Sequence, residues 1–194
     1  LNPRFETSLI MGFKLAILVQ QFPLAIHFAQ LMLNLDSHNC NYYAFLANAY
    51  SKNLQDELAL SVIENGLKFD NNNSQLLVLK AGLLELRHEL DEAQTILHKV
   101  LVALPDSIDA QLLYARLLIR KKEASQAKTI LNKITTNLEC SDEQLQIAYA
   151  SLVKANKLLC AYSDAWQCAE KMNRLNTKVR PDVGKWTDVE IYFE

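Results

Sequence analysis

Short amphipathic segments alternate with polar connectors along most of the chain. Within each segment the apolar residues recur three and four positions apart, which is the spacing of one face of an α-helix. Consecutive examples are PLAIHFAQLML, YYAFLANAY, ELALSVIENGL and LLVLKAGLLEL. The segments come in pairs. The pattern therefore predicts a repeating unit made of a helix, a tight turn and a second helix.

One small residue sets the register of this repeat. Alanine stands near the start of the second segment in four successive pairs, at positions 25, 59, 93 and 127, so the spacing is identical each time. A small side chain at that point lets the backbones of the two helices approach closely, whereas leucine would push them apart. The constant period predicts a stack of similar helical pairs.

The pattern of large and small residues resembles the tetratricopeptide repeat, a helical pair of about 34 residues. The unit beginning at Cys40 fits it best, with Tyr43, Leu46, Ala47, Tyr50 and Ala59 at the signature positions. Asn71 replaces the usual proline, Gln111 replaces a large residue, and Gly12 and Phe13 invert the usual order. The resemblance covers about residues 6–141 and implies an all-α, right-handed α-solenoid.

The units defined in this way are about 6–39, 40–73, 74–107, 108–141 and 142–175. The last one is irregular, because Ala165 lies four positions later than the period counted from Ala127 would place it. The four extra positions predict a longer final pair, over 142–158 and 162–175, that caps the stack. We expect residues 1–175 to form one repeat domain. Residues 176–194, which contain Pro181 and Gly184, are predicted to be a C-terminal tail or a linker with a short strand.

Composition and charge support a helical protein without a nucleic-acid ligand. The chain has 34 leucines and 20 alanines but only 4 glycines, too few for the turns of an all-β fold. Residues 1–115 carry 7 basic and 12 acidic side chains, and residues 116–180 carry 12 and 6. The basic residues of the second region have no interleaved aromatic residues on which bases could stack, so we interpret them as a solvated surface.

No run of about eighteen uncharged apolar residues occurs, so no membrane insertion is expected. The four cysteines have no metal-binding spacing, and we interpret them as reduced thiols in a cytoplasmic protein. The chain begins at Leu1 rather than methionine, so a signal or a domain could precede it. A phosphate-binding or catalytic domain could follow Glu194.

The resemblance implies that a ligand binds to the first helix of each pair, because the first helices line the concave side of such solenoids. The positions that it nominates are Lys14, Asn41, Asn48, Gln75, Val78, Asp109, Leu112 and Arg116. They predict a groove of mixed polarity for a peptide or protein segment, with amides holding its backbone and Val78 and Leu112 supporting its apolar side chains. Only Asn48 matches the family's carboxylate clamp, which disfavours a chaperone co-factor. The protein's own tail could fill the groove instead.

No catalytic site, metal site or cofactor site is predicted. The four histidines are scattered, the glycines cannot form a phosphate loop, and Glu85, Glu89, Asp91 and Glu92 are expected to surround a solvated turn. The chain is therefore predicted to be a non-catalytic interaction scaffold.

Two other functions stay open. The stretch DAWQCAEKMNRLN resembles the junction in bacterial proteins with tetratricopeptide repeats before a sulfotransferase domain. The chain would then be the arm of an enzyme that presents its substrate or dimerises. A repeat segment of an envelope or polysaccharide-export assembly is the other alternative. The apolar residues Ile10, Phe13, Trp186 and Phe193 could cover an end of the solenoid or form the contact of a homodimer.

Overall fold

The computed structural model describes residues 3–179, and the side chains of residues 5–175. Every regular element in that range is an α-helix. The ten helices are α1 (Pro3–Leu18), α2 (Phe22–Leu35), α3 (Cys40–Lys52), α4 (Asp56–Leu67), α5 (Ser74–Leu86), α6 (Leu90–Ala103), α7 (Ile108–Arg120), α8 (Ala124–Thr135), α9 (Asp142–Leu158) and α10 (Tyr162–Val179). The predicted all-α class with about five helical pairs is confirmed. The predicted strand, Trp186 and Phe193 lie outside the described residues.

The helices begin at a constant period. The first helices of the second to fifth pairs begin at residues 40, 74, 108 and 142, and the second helices of the first four pairs at 22, 56, 90 and 124. Helix α9 has 17 residues, whereas α3 has 13, which explains the slip of four. Helix α10 continues through residues 176–179, which the sequence assigns to the tail, because no glycine or proline interrupts the helical pattern before Pro181.

Polar side chains fix where several helices begin. The Asn39 side chain accepts a hydrogen bond from the backbone of Asn41 at the start of α3, and Asn73 accepts one from Leu76 at the start of α5. At α9, Ser141 and Gln144 form a reciprocal capping box. These caps satisfy backbone N–H groups that have no partner inside the helix. They explain why the connectors are rich in Asn, Asp and Ser.

The turn within each pair has the same backbone geometry. Its second residue has a positive φ in all five pairs, at Gln20, Leu54, His88, Lys122 and Cys160. The next residue donates its backbone N–H to a carbonyl five residues back, as Gln55 does to Tyr50 at 2.9 Å. This is the Schellman arrangement, in which glycine usually occupies the left-handed position. The described chain forms it five times without glycine.

Leu54→Gly should therefore stabilise the protein. The left-handed conformation costs an L-residue about 1–2 kcal/mol, which glycine avoids. Glycine also has more conformational freedom in the unfolded chain, and this offsets about 0.4–1 kcal/mol of the stabilisation. Because the Leu54 side chain is 90% exposed, little packing is lost. We expect the free energy of unfolding to rise by about 0.5–1 kcal/mol in urea titrations. Leu54→Ala keeps the Cβ atom and should give no comparable gain; equal gains would refute the strain argument.

The chain divides into two compact units, Leu1–Ala110 and Gln111–Glu194. Small residues are buried where the helices of the first unit cross. Ala25, Ala59 and Ala93 are fully buried at 0% exposure. A Cβ atom added at Gly66 of α4 would lie 2.8 Å from the Cβ atom of Tyr43 in α3. In the second unit, Ala127 and Ala165 are buried as well.

The prediction that four acidic residues surround a solvated turn between α5 and α6 is wrong for one of them. Glu85 is completely buried, whereas Glu89, Asp91 and Glu92 are exposed. The reason is its register, because Glu85 follows the buried Ala81 by one helical turn and so shares its core-facing side of α5. Each helix within residues 3–179 is too short or too polar to span a lipid bilayer.

Candidate peptide-binding surface

The nominated residues lie on the first helices of the first four pairs: Lys14 on α1, Asn41 and Asn48 on α3, Gln75 and Val78 on α5, and Asp109, Leu112 and Arg116 on α7. Their exposure follows the repeat. The register shared by Thr7, Asn41, Gln75 and Asp109 is exposed in all four pairs. The middle register, at Ile10, Ala44, Val78 and Leu112, is half-buried or buried.

The first unit brings three amide side chains onto neighbouring helices. Asn41 and Asn48 lie two turns apart on α3, Gln75 lies at the Asn41 register on α5, and α3 packs against α5. Asn41 and Gln75 are exposed and Asn48 is half-buried. None of the three side-chain amides donates or accepts a hydrogen bond within the described part of the chain. Their donors and acceptors are available to a ligand.

The lysines on helices α1 and α5 differ in whether they form ion pairs. Lys14 on α1 is exposed and forms no ion pair with a described side chain. Lys80 on α5, in contrast, lies with its Nζ atom 3.9 Å from carboxylate oxygens of both Glu64 and Glu92. The second helices therefore hold Lys80, while Lys14 remains as a positive charge on α1.

Leu112 is more buried than its predicted contact with a ligand requires. It was expected to support apolar ligand side chains, but it is only 6% exposed. Ala44 at the equivalent position of α3 is also buried, at 1%, so this middle position of the first helix is a packing position in two of the pairs. Val78, which is half-buried, is the nominated apolar residue that still reaches the surface. Asp109 and Arg116 flank Leu112 on α7, and both are exposed.

The thiols and histidines do not assemble into a reactive centre in the described residues. All four cysteines are free. Burial raises the pKa of the Cys40, Cys140 and Cys168 thiols, which keeps them protonated and poorly nucleophilic. Residues 3–179 contain no group of three or more His, Cys, Asp or Glu side chains placed to hold a metal ion.

Sequence reasoning missed an exposed apolar face on α1. Ile10 and Phe13 are the residues of α1 predicted to cover an end of the solenoid or to form a dimer contact, but Phe13 is buried at 4% and packs on Phe45 with ring centroids 4.9 Å apart. The exposed residues are instead Met11, Leu15 and Leu18, at 60–78% exposure. Aligning α1 with α3 in the repeat would have located them, because Met11 stands at the position of Phe45.

Helical pairs whose first and second helices begin at a constant period define a helical-repeat fold. Residues 84–138 match the family model described as tetratricopeptide repeat. Among curated proteins, no significant sequence match was found.

The solved structures agree with the family match. The crystal structure of the MamA protein is 14% identical with a TM-score of 0.58, over 92% of this chain and 96% of that chain. A tetratricopeptide repeat protein from Parabacteroides merdae is 17% identical with a TM-score of 0.59, over 91% and 68%. The TPR domain of Arabidopsis OM64 is 19% identical with a TM-score of 0.51, over 59% and 94%. The chain therefore has the fold of tetratricopeptide-repeat solenoids, which generally serve as non-catalytic modules for protein–protein interaction.

Proposed function

We propose that this protein is a scaffold that holds an extended peptide segment of a partner protein on the first-helix surface of its N-terminal unit. The observation that carries the proposal is the set of uncommitted amides of Asn41, Asn48 and Gln75 on the adjacent helices α3 and α5. Asn41 and Gln75 occupy the same position of the neighbouring first helices α3 and α5. A peptide that runs across these two helices would therefore meet an amide side chain on each.

Each amide supplies both a donor and an acceptor, which is what the backbone of an extended peptide requires. The half-buried Val78 offers an apolar contact beside them, and the exposed Lys14 would favour an acidic residue of the ligand. The four free thiols support a reducing location such as the cytoplasm.

Asn48→Ala should weaken peptide binding by about tenfold, because the truncation removes one or two hydrogen bonds at the ligand backbone. The probe is a set of peptides selected on the chain from a random display library, with affinities measured by fluorescence anisotropy. Asn34→Ala is the matched control, since Asn34 is an exposed amide on the second helix α2. Equal affinity for wild type and Asn48→Ala, or selected peptides that lose affinity only with Asn34→Ala, would contradict the proposed site.

A further inference from the structure

Helix α5 has a glycine in its interior, on the side that carries the proposed peptide surface. Gly82 stands four residues after Val78 and four residues before Leu86, so the three follow one another along one side of the helix. Gly82 is half-buried, as Val78 is. Inside a helix, glycine is less favourable than every residue except proline. Gly82 therefore weakens α5.

Close packing explains the helical glycine Gly66, but the repeat does not require glycine at position 82. A Cβ atom added at Gly66 would lie 2.8 Å from the Cβ atom of Tyr43. The positions equivalent to Gly82 on the two preceding first helices hold Lys14 and Asn48. Lys14 is exposed and Asn48 is half-buried. This position of the repeat therefore accepts a long side chain at the surface.

The missing side chain leaves a gap between two apolar residues. Val78 on one side of the gap is half-buried, and Leu86 on the other side is 52% exposed. Their eight-residue separation corresponds to about 12 Å along the helix axis, which leaves room for one large side chain between them. On α3 the middle position holds Asn48, so that helix has no such gap. The gap above Gly82, bounded by Val78 and Leu86, is termed the notch.

The helices that precede α5 carry positive charge at the neighbouring positions. Lys52 on α3 stands one repeat before Leu86, and α3 packs against α5. Lys14 on α1 stands one repeat before Asn48. Both lysines are exposed, and neither forms an ion pair with a described side chain. A peptide that leaves the notch towards α3 would meet these charges, which favours an acidic residue at that point of the ligand.

We propose that Gly82 determines the specificity of the peptide-binding surface: the notch takes a large apolar side chain, such as leucine or phenylalanine, from a ligand that has an acidic residue beside it. The inference rests on the proposed function, because the ligand is the peptide held by the amides of α3 and α5. Glycine lets the ligand side chain approach the backbone of α5 closely. Val78 and Leu86 contact its two sides.

Gly82→Leu tests the proposal because it should move two measurements in opposite directions. Leucine favours a helix over glycine, so we expect the melting temperature to rise by about 2–4 °C. The new side chain fills the notch, so peptides selected on the wild-type chain should lose affinity by about 10–100-fold. Ser61→Leu is the control, since it adds leucine at an exposed position of the second helix α4 and should leave the affinity unchanged. A lower melting temperature for Gly82→Leu would show that packing requires the glycine and would overturn the proposal.

The sequences of the selected peptides give a second measurement. Peptides selected from a random display library on the wild-type chain should share a large apolar residue at one position and an acidic residue close to it. Selection on Gly82→Leu should lose the apolar preference. Peptides that lose affinity with Asn48→Ala but not with Gly82→Leu would overturn the role of the notch and leave the binding surface in place. Peptides that are insensitive to both variants would overturn the proposed function as well.

Discussion

Ala93→Leu should destabilise the protein by about 1–3 kcal/mol, because the larger side chain overpacks the contact between α5 and α6. Ala93 is 0% exposed and lies in the first turn of α6. The three additional carbon atoms have no space unless the two helices separate. Chemical denaturation should report the loss as a lower midpoint with little change in slope.

The matched control for this substitution is on the same helix. Ala103 is exposed at the end of α6, so Ala103→Leu should change the free energy of unfolding by no more than about 0.5 kcal/mol. If Ala93→Leu were as mild as Ala103→Leu, the repeating alanine would not mark helix crossings. The substitution thus tests the feature from which the fold was predicted.

The fold could be predicted because the repeat encodes contacts within a pair. An alanine at 25, 59, 93 and 127 has a single physical reason, close approach of two helices, and all four side chains are fully buried. The effect of the four extra residues before Ala165 could be predicted as well. Four residues make about one helical turn, so they lengthen α9 without changing which of its sides is buried.

The surface was harder to predict because exposure depends on neighbouring pairs as well as on the residue itself. Leu112 and Val78 share a register and are both apolar, yet Leu112 is 6% exposed and Val78 is half-buried. Glu85 is polar but lies on the core-facing side of α5. Met11 is apolar at a position that is half-buried in the next two pairs, at Phe45 and Leu79, yet it is 68% exposed.

Tyr42 should give the protein a stability that is lost at alkaline pH. Its ring is 4% exposed in α3, and its hydroxyl donates a hydrogen bond to the Oε1 atom of Glu6 in α1 at 2.5 Å. Burial, together with this bond and the negative charge of Glu6, raises the pKa of Tyr42 from 10.0 to about 12. The folded state therefore holds the phenolic proton more tightly than the unfolded state does.

The sign of the effect follows from that difference. The contribution of Tyr42 is fully present below about pH 10, the unfolded pKa, and it is lost as the pH rises through about 12, the folded pKa. A shift of this size corresponds to a loss on the order of 2–3 kcal/mol. Urea titrations across this pH range should show a steeper fall in the free energy of unfolding for wild type than for Tyr42→Phe. Glu6→Gln should give an intermediate slope, because it removes the charge but leaves the ring buried. Parallel curves for wild type and Tyr42→Phe would mean that the Tyr42 hydroxyl is not held against Glu6 in the folded protein.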